Sequence, residues 1–163
     1  MDTSCPGCGI RLAAIEGPVH RYIESSPACW ALYGEVLVRE YQDPAHMAVH
    51  RLTVDAYAVQ HPGRPGRQAM QSVGGHLLSM YAVLELGSSH QDATGLIARA
   101  VKQVRFRWLE PPASMGPLTV TSVAQAAGAV EHCLAVQRWA ESAWQAWAAH
   151  HCTIRQWATD LRQ

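Results

Sequence analysis

Cys5-Pro6-Gly7-Cys8-Gly9 opens the chain with two thiols separated by two residues. That spacing lets both sulfurs reach one ion, and the flanking glycines give the backbone the freedom such a knuckle needs. Nine histidines and three further cysteines follow in 163 residues. Thiolate and imidazole are the side chains that hold a borderline-soft divalent ion such as zinc. No second C-x-x-C exists, so two more ligands must come from His20, Cys29, His61 or the C-terminal histidines. His61 is the first choice, and four protein donors would make the site structural.

A second grouping concerns His50 and His76. They stand at about equal distances from the Pro-Gly-rich turn between His61 and Gly66. In an antiparallel helical hairpin this puts them at one height, facing each other if both point inward. His46, one helical turn from His50, could join them. His50 and His61 would lie roughly 16 Å apart along one helix and could not share an ion. The chain therefore carries two metal sites, or one site and some structural histidines. A site at His50 and His76 open to water would be catalytic, as in a metal-dependent hydrolase or transferase, lowering the pKa of a bound water for hydrolysis or activating a thiol. Asp55 could orient a ligating imidazole or pair with Arg51 on its own helix. Glu40 is a similar case. His151, four residues after Trp147, is the favoured ligand of the His150-His151 doublet. The alternative for each of these imidazoles is a packed histidine bonded to a carbonyl.

The elements that must position these groups read as helices. Strand signals are almost absent, and alanine, leucine, glutamine and tryptophan recur at helical spacing. The first helix spans about 27–41, with Ser25 or Ser26 as cap and Pro27 in its first turn. The second, capped by Asp43, spans about 44–60 and ends at His61-Pro62, because the residue before proline is pushed out of the α region. The third spans about 67–86 and ends at Gly87. Gly74 and Gly75 inside it cost about 1 kcal/mol each against alanine, which calls for a close helix approach or a kink near His76. The fourth spans about 92–106. The last stretch, 120–161, would reach about 60 Å unbroken, so an interruption is expected, with Gly128 the candidate. The expectation is an all-α, single-domain bundle of about five helices over 1–163. Residues 1–24 would form a metal-tied Cys-knuckle segment packed on it.

Thirteen basic residues balance thirteen acidic ones, so no basic face is forced and nucleic acid is a poor partner. Neutrality favours self-association. No start resembles a signal peptide and no window is apolar enough to span a bilayer, so a cytoplasmic protein without membrane contact is expected. In a reducing compartment, C-x-x-C reads as metal or redox chemistry more than as a disulfide. No nucleophile elbow, phosphate loop or dinucleotide fingerprint is present.

Four motifs together resemble a bacterial family of unknown function. They are CPGCG at 5–9, Cys29-Trp30, Val54-Asp55-Ala56-Tyr57-Ala58-Val59-Gln60-His61-Pro62-Gly63, and the tryptophan-rich run from Trp139 through Trp147 to His151. The resemblance implies no activity, but it raises Asp55, Gln60 and His61 as motif members. A weaker likeness is to DinB-type helical bundles, in which three histidines from different helices hold a divalent metal. The knuckle is foreign to that family, and the likeness is one of fold.

These observations predict a metal-binding, zinc-holding helical protein with Cys5, Cys8, His50, His61, His76 and His151 as candidate ligands. The competing reading is a non-enzymatic interaction protein whose tryptophan-rich helix is a dimer or partner surface, since tryptophan is enriched in binding hot spots.

Overall fold

A computed structural model of the chain describes residues 1–161. It is mostly helical, with one small sheet at the start. Strands β1 (Asp2–Ser4) and β2 (Arg11–Ala13) pair antiparallel in the register Thr3 opposite Leu12. The purely helical expectation therefore needs correction. The strands are three residues each and mostly exposed, too short for an alternating apolar pattern to announce them. They are defined by the turn between them. Cys5 N–H donates to the Ile10 carbonyl (2.8 Å) and Gly9 N–H to the Cys5 carbonyl (3.0 Å).

Helix α1 (Pro27–Gln42) starts as its sequence dictates. Ser26 accepts from Cys29 N–H at 3.2 Å and Pro27 sits in the first turn. The second expected helix is two, α2 (Pro44–Met47) and α3 (His50–Gln60), broken at Ala48–Val49. Helix α4 (Arg67–Leu84) follows the Pro-Gly turn, then α5 (His90–Gln103) behind the cap Ser89. Gly74 and Gly75 leave α4 unbroken. A Cβ on Gly74 would strike the Phe106 ring, and one on Gly75 would come within 3.3 Å of Ile97. Close approach of the α5 segment, and not a kink, is what they allow.

The last stretch divides into α6 (Val120–Ala124), α7 (Ala129–Ala146), a 3₁₀ turn (Ala148–His150) and α8 (His151–Asp160). The break near Gly128 matches the length argument. The second break, at Trp147–His150, had no sequence signal. Among the described residues there are thus eight α-helices and not about five. Arg39 of α1 caps α6, donating to the carbonyls of Val123 (3.2 Å), Ala124 (3.0 Å) and Ala126 (3.2 Å).

The tryptophans face inward. Trp139, Trp144, Trp147 and Trp157 are all buried. Trp139 donates to the Gln60 side chain (2.8 Å) and Trp147 to the Val59 carbonyl (3.1 Å). These four rings are spent on the core and are not themselves exposed to a partner. Gln60 is fully buried and fully used. Its amide also donates to the carbonyls of Met115 and Leu118, both at 2.8 Å. No helix among the described residues is long and apolar enough to cross a membrane.

Candidate metal centre

Cys5, Cys8, Cys29 and His61 each bring one donor atom to within 4.8 Å of the others. Three separate segments deliver them. The knuckle after β1 supplies Cys5 and Cys8. The first turn of α1 supplies Cys29. The C-cap of α3 supplies His61. The Cys8 and Cys29 sulfurs are 3.8 Å apart, and Cys29 Sγ lies 3.5 Å from His61 Nε2. Cys5, Cys29 and His61 are buried, whereas Cys8 is half-buried.

Local structure explains each position. Pro62 keeps His61 out of the helix, with φ −129° and ψ 61°. From there His61 Nδ1 donates to the Tyr57 carbonyl at 2.7 Å. That bond satisfies a carbonyl that the helix end leaves free, and it directs Nε2 at the sulfurs. The His61 ring also stacks on Tyr57, with centroids 4.0 Å apart. Gly7 passes directly over this ring. A Cβ there would strike His61 Cδ2 and come within 2.8 Å of the carbonyls of Gln60 and Glu24. The knuckle therefore closes only with glycine between its cysteines. Ser26 N–H donates to Cys5 Sγ at 3.4 Å and Tyr57 O–H to Cys29 Sγ at 3.5 Å, as is usual around a thiolate.

The electrostatics are those of a tightly coupled thiol–imidazole cluster. Hydrogen bonds from Cys29 and then Cys8 push the Cys5 thiol far below its usual range, while the neighbouring Cys5 and Cys8 drive Cys29 far above its own. Three sulfurs this close cannot all ionise unaided. Burial pulls His61 down, but Cys5 and Cys8 outweigh it and raise its pKa to about 9. A cation bound here must displace the proton that His61 carries at neutral pH, together with thiol protons. Affinity is therefore expected to rise with pH up to about 9 and to weaken as acid returns those protons. Competition titrations with a chromophoric chelator between pH 6 and pH 9 measure this, as a steady increase in binding constant.

The other predicted residues lie elsewhere. Among the described residues this is the one group of three or more such donors, so a DinB-like triad of histidines is not formed. His50 and His76 do not converge. His76 Nδ1 donates to Asp55 (2.7 Å), which also accepts from Arg51 (2.7 Å) and Ser79. His50 Nδ1 turns to Glu40 of α1 (2.7 Å). His76 stands level with Arg51 and Asp55, within about one turn of His50. The direction failed because successive helical residues point about 100° apart, so Arg51 faces α4 and His50 faces α1. Asp55 thus takes both roles weighed for it, orienting an imidazole and pairing with Arg51, but that imidazole is not at the thiol cluster. His46 bonds Asp43 at 2.8 Å. His151 stacks on Trp144, with centroids 3.9 Å apart, and donates to its carbonyl at 3.0 Å.

From the sequence, Cys29 is one of several possible ligands, and His132 is not among them. The signal for Cys29 was its place in the first turn of a capped helix, where the helix N-terminus favours a thiolate. His132 carried no signal. It is fully buried, donates to Glu40 at 2.9 Å, and burial holds its pKa down.

A family model, Family of unknown function (DUF5946), matches residues 3–148. No curated protein and no solved structure matches the chain.

Proposed function

We propose, from the premise that the chain belongs to this family of unknown function, that it is a zinc-binding helical protein whose ion ties the N-terminal hairpin to the helices. One observation carries the reading: three thiols and one imidazole, from three segments, within 4.8 Å of one another. This donor set suits zinc better than a hard cation, which would ask for oxygen ligands. The ligands would be Cys5, Cys8, Cys29 and His61. Four protein donors close the coordination shell, which favours a structural role over a catalytic one. The ion would tie the knuckle after β1 to the start of α1 and the end of α3, at the opposite end of the α1–α3 contact from the Glu40 bonds to His50 and Thr53. His61 and Tyr57, both from the VDxYxxQHPG segment, would then serve as a ligand and as a donor to one of the bound sulfurs.

A hydrolytic second site at His50 and His76 has no support in the geometry, because each imidazole takes its own carboxylate. Elemental analysis of protein purified without added metal is expected to find one zinc per chain. A chain that is folded and free of transition metal would end the proposal.

A further inference from the structure

The four donors of the centre differ in access and in what shields them. Cys5, Cys29 and His61 are sealed in the interior. Cys8 instead lines a cleft of about 420 Å³ bounded by Pro6, Glu24, Pro62, Pro112 and Met115 among others. The sulfurs differ again in their hydrogen bonds. Cys5 Sγ accepts from Ser26 N–H and Cys29 Sγ from Tyr57 O–H. Among the described residues no backbone N–H or hydroxyl donates to Cys8 Sγ, whose polar neighbours are the other donors of the cluster, with the Cys29 sulfur at 3.8 Å. A hydrogen bond draws electron density from a thiolate and lowers its nucleophilicity. The sulfur that receives no backbone or hydroxyl hydrogen bond and faces an opening is the more accessible and less shielded of the three.

Charge acts in the same direction. Three thiolates and a neutral imidazole around a divalent ion leave one net negative charge in a largely buried site. Removing that charge relieves a desolvation cost. We propose that Cys8 is the reactive ligand of the centre, taking an alkyl group from a soft, uncharged electrophile that enters the cleft. The inference rests on the zinc reading above. In the step, a Cys8 sulfur lone pair forms a new S–C bond, the C–X bond of the alkyl donor breaks, and X leaves with the bonding pair. No proton moves and no oxidant or reductant is consumed. The product is a neutral thioether, a weaker zinc ligand than the thiolate it replaces. Cys5, Cys29 and His61 still tether the ion, so alkylation would loosen the knuckle and leave the helices in place. The cleft suits a small uncharged donor. Its walls are mainly glycine and proline loops, and its one carboxylate, Glu24, is engaged by Arg64 at 3.3 Å.

The test uses the zinc-loaded full chain, treated with limiting iodoacetamide and mapped cysteine by cysteine over time by mass spectrometry. Cys133 and Cys152 lie outside the centre and serve as internal references. Cys8 is expected to label about tenfold faster than Cys5 or Cys29. Iodoacetate, which is anionic, should lower the ratio of Cys8 to Cys152 labelling, because the centre repels it. Stripping the ion with a chelator should erase the spread among the three sulfurs. If one zinc per chain is present and Cys8 labels no faster than Cys5 and Cys29, this proposal fails and the structural zinc reading stands. The same spread in the metal-free chain overturns it too, since reactivity would then owe nothing to coordination. Absence of metal from the purified protein overturns both readings.

Discussion

Cys29→Ser is expected to lose the ion and to lower the thermal midpoint by roughly 10 °C. A serine hydroxyl stays protonated at neutral pH and is a poor zinc ligand, so three donors remain where four closed the shell. A ligand that binds only the folded chain stabilises it by about 4 kcal/mol when present at a thousand times its dissociation constant. For a chain of this size each kcal/mol shifts the midpoint by roughly 2–4 °C. Cys29 is the donor of choice for the test because it joins the knuckle to α1, and its backbone N–H keeps its bond to the Ser26 cap in the variant. Scanning calorimetry with and without a strong chelator provides the control. The chelator should bring the wild-type midpoint down to that of Cys29→Ser and leave the variant unmoved. A wild-type midpoint indifferent to the chelator would remove the structural role.

The second large effect is expected far from the cysteines. Glu40→Ala should destabilise the chain by about 3–5 kcal/mol, the usual result of removing one partner from a buried polar or charged set. Glu40 has no exposed surface and is the shared acceptor for His50, Thr53 and His132, which come from α3 and α7. His132 is equally buried and its Nδ1 already has no partner. Without the carboxylate, Nε2 would join it. Urea unfolding measures the loss, read at an unchanged dependence on denaturant concentration. Zinc content should stay at the wild-type level, because Glu40 touches none of the four donors. Normal stability in Glu40→Ala would mean that water replaces the carboxylate without cost.

Much of the local structure was legible from short-range chemistry. Two residues between Cys5 and Cys8 are enough to bring their sulfurs together whatever the rest of the chain does. Ser26 before Pro27 marks the start of α1, and Pro62 ends α3 at His61 by steric clash alone. The VDxYxxQHPG segment stood out in the sequence, and the structure shows why several of its polar residues matter. Asp55, Tyr57, Gln60 and His61 each hold a buried partner on another element or on the centre itself.

What spacing could not decide was which residues from distant segments face the same point. Cys29 and His61 are 32 positions apart, and only the packing of α1 against the end of α3 brings sulfur to nitrogen. His50 and His76 failed to meet for the same kind of reason, since a single step along a helix turns a side chain by about 100° and sends it to a different neighbour. The tryptophans could have lined a surface or filled a core, and composition is the same either way. Bonds and turns between near neighbours are set by covalent geometry, which the residue order contains. Azimuth and inter-helix contact are set by the burial of the whole apolar surface at once, which becomes defined only in the folded chain.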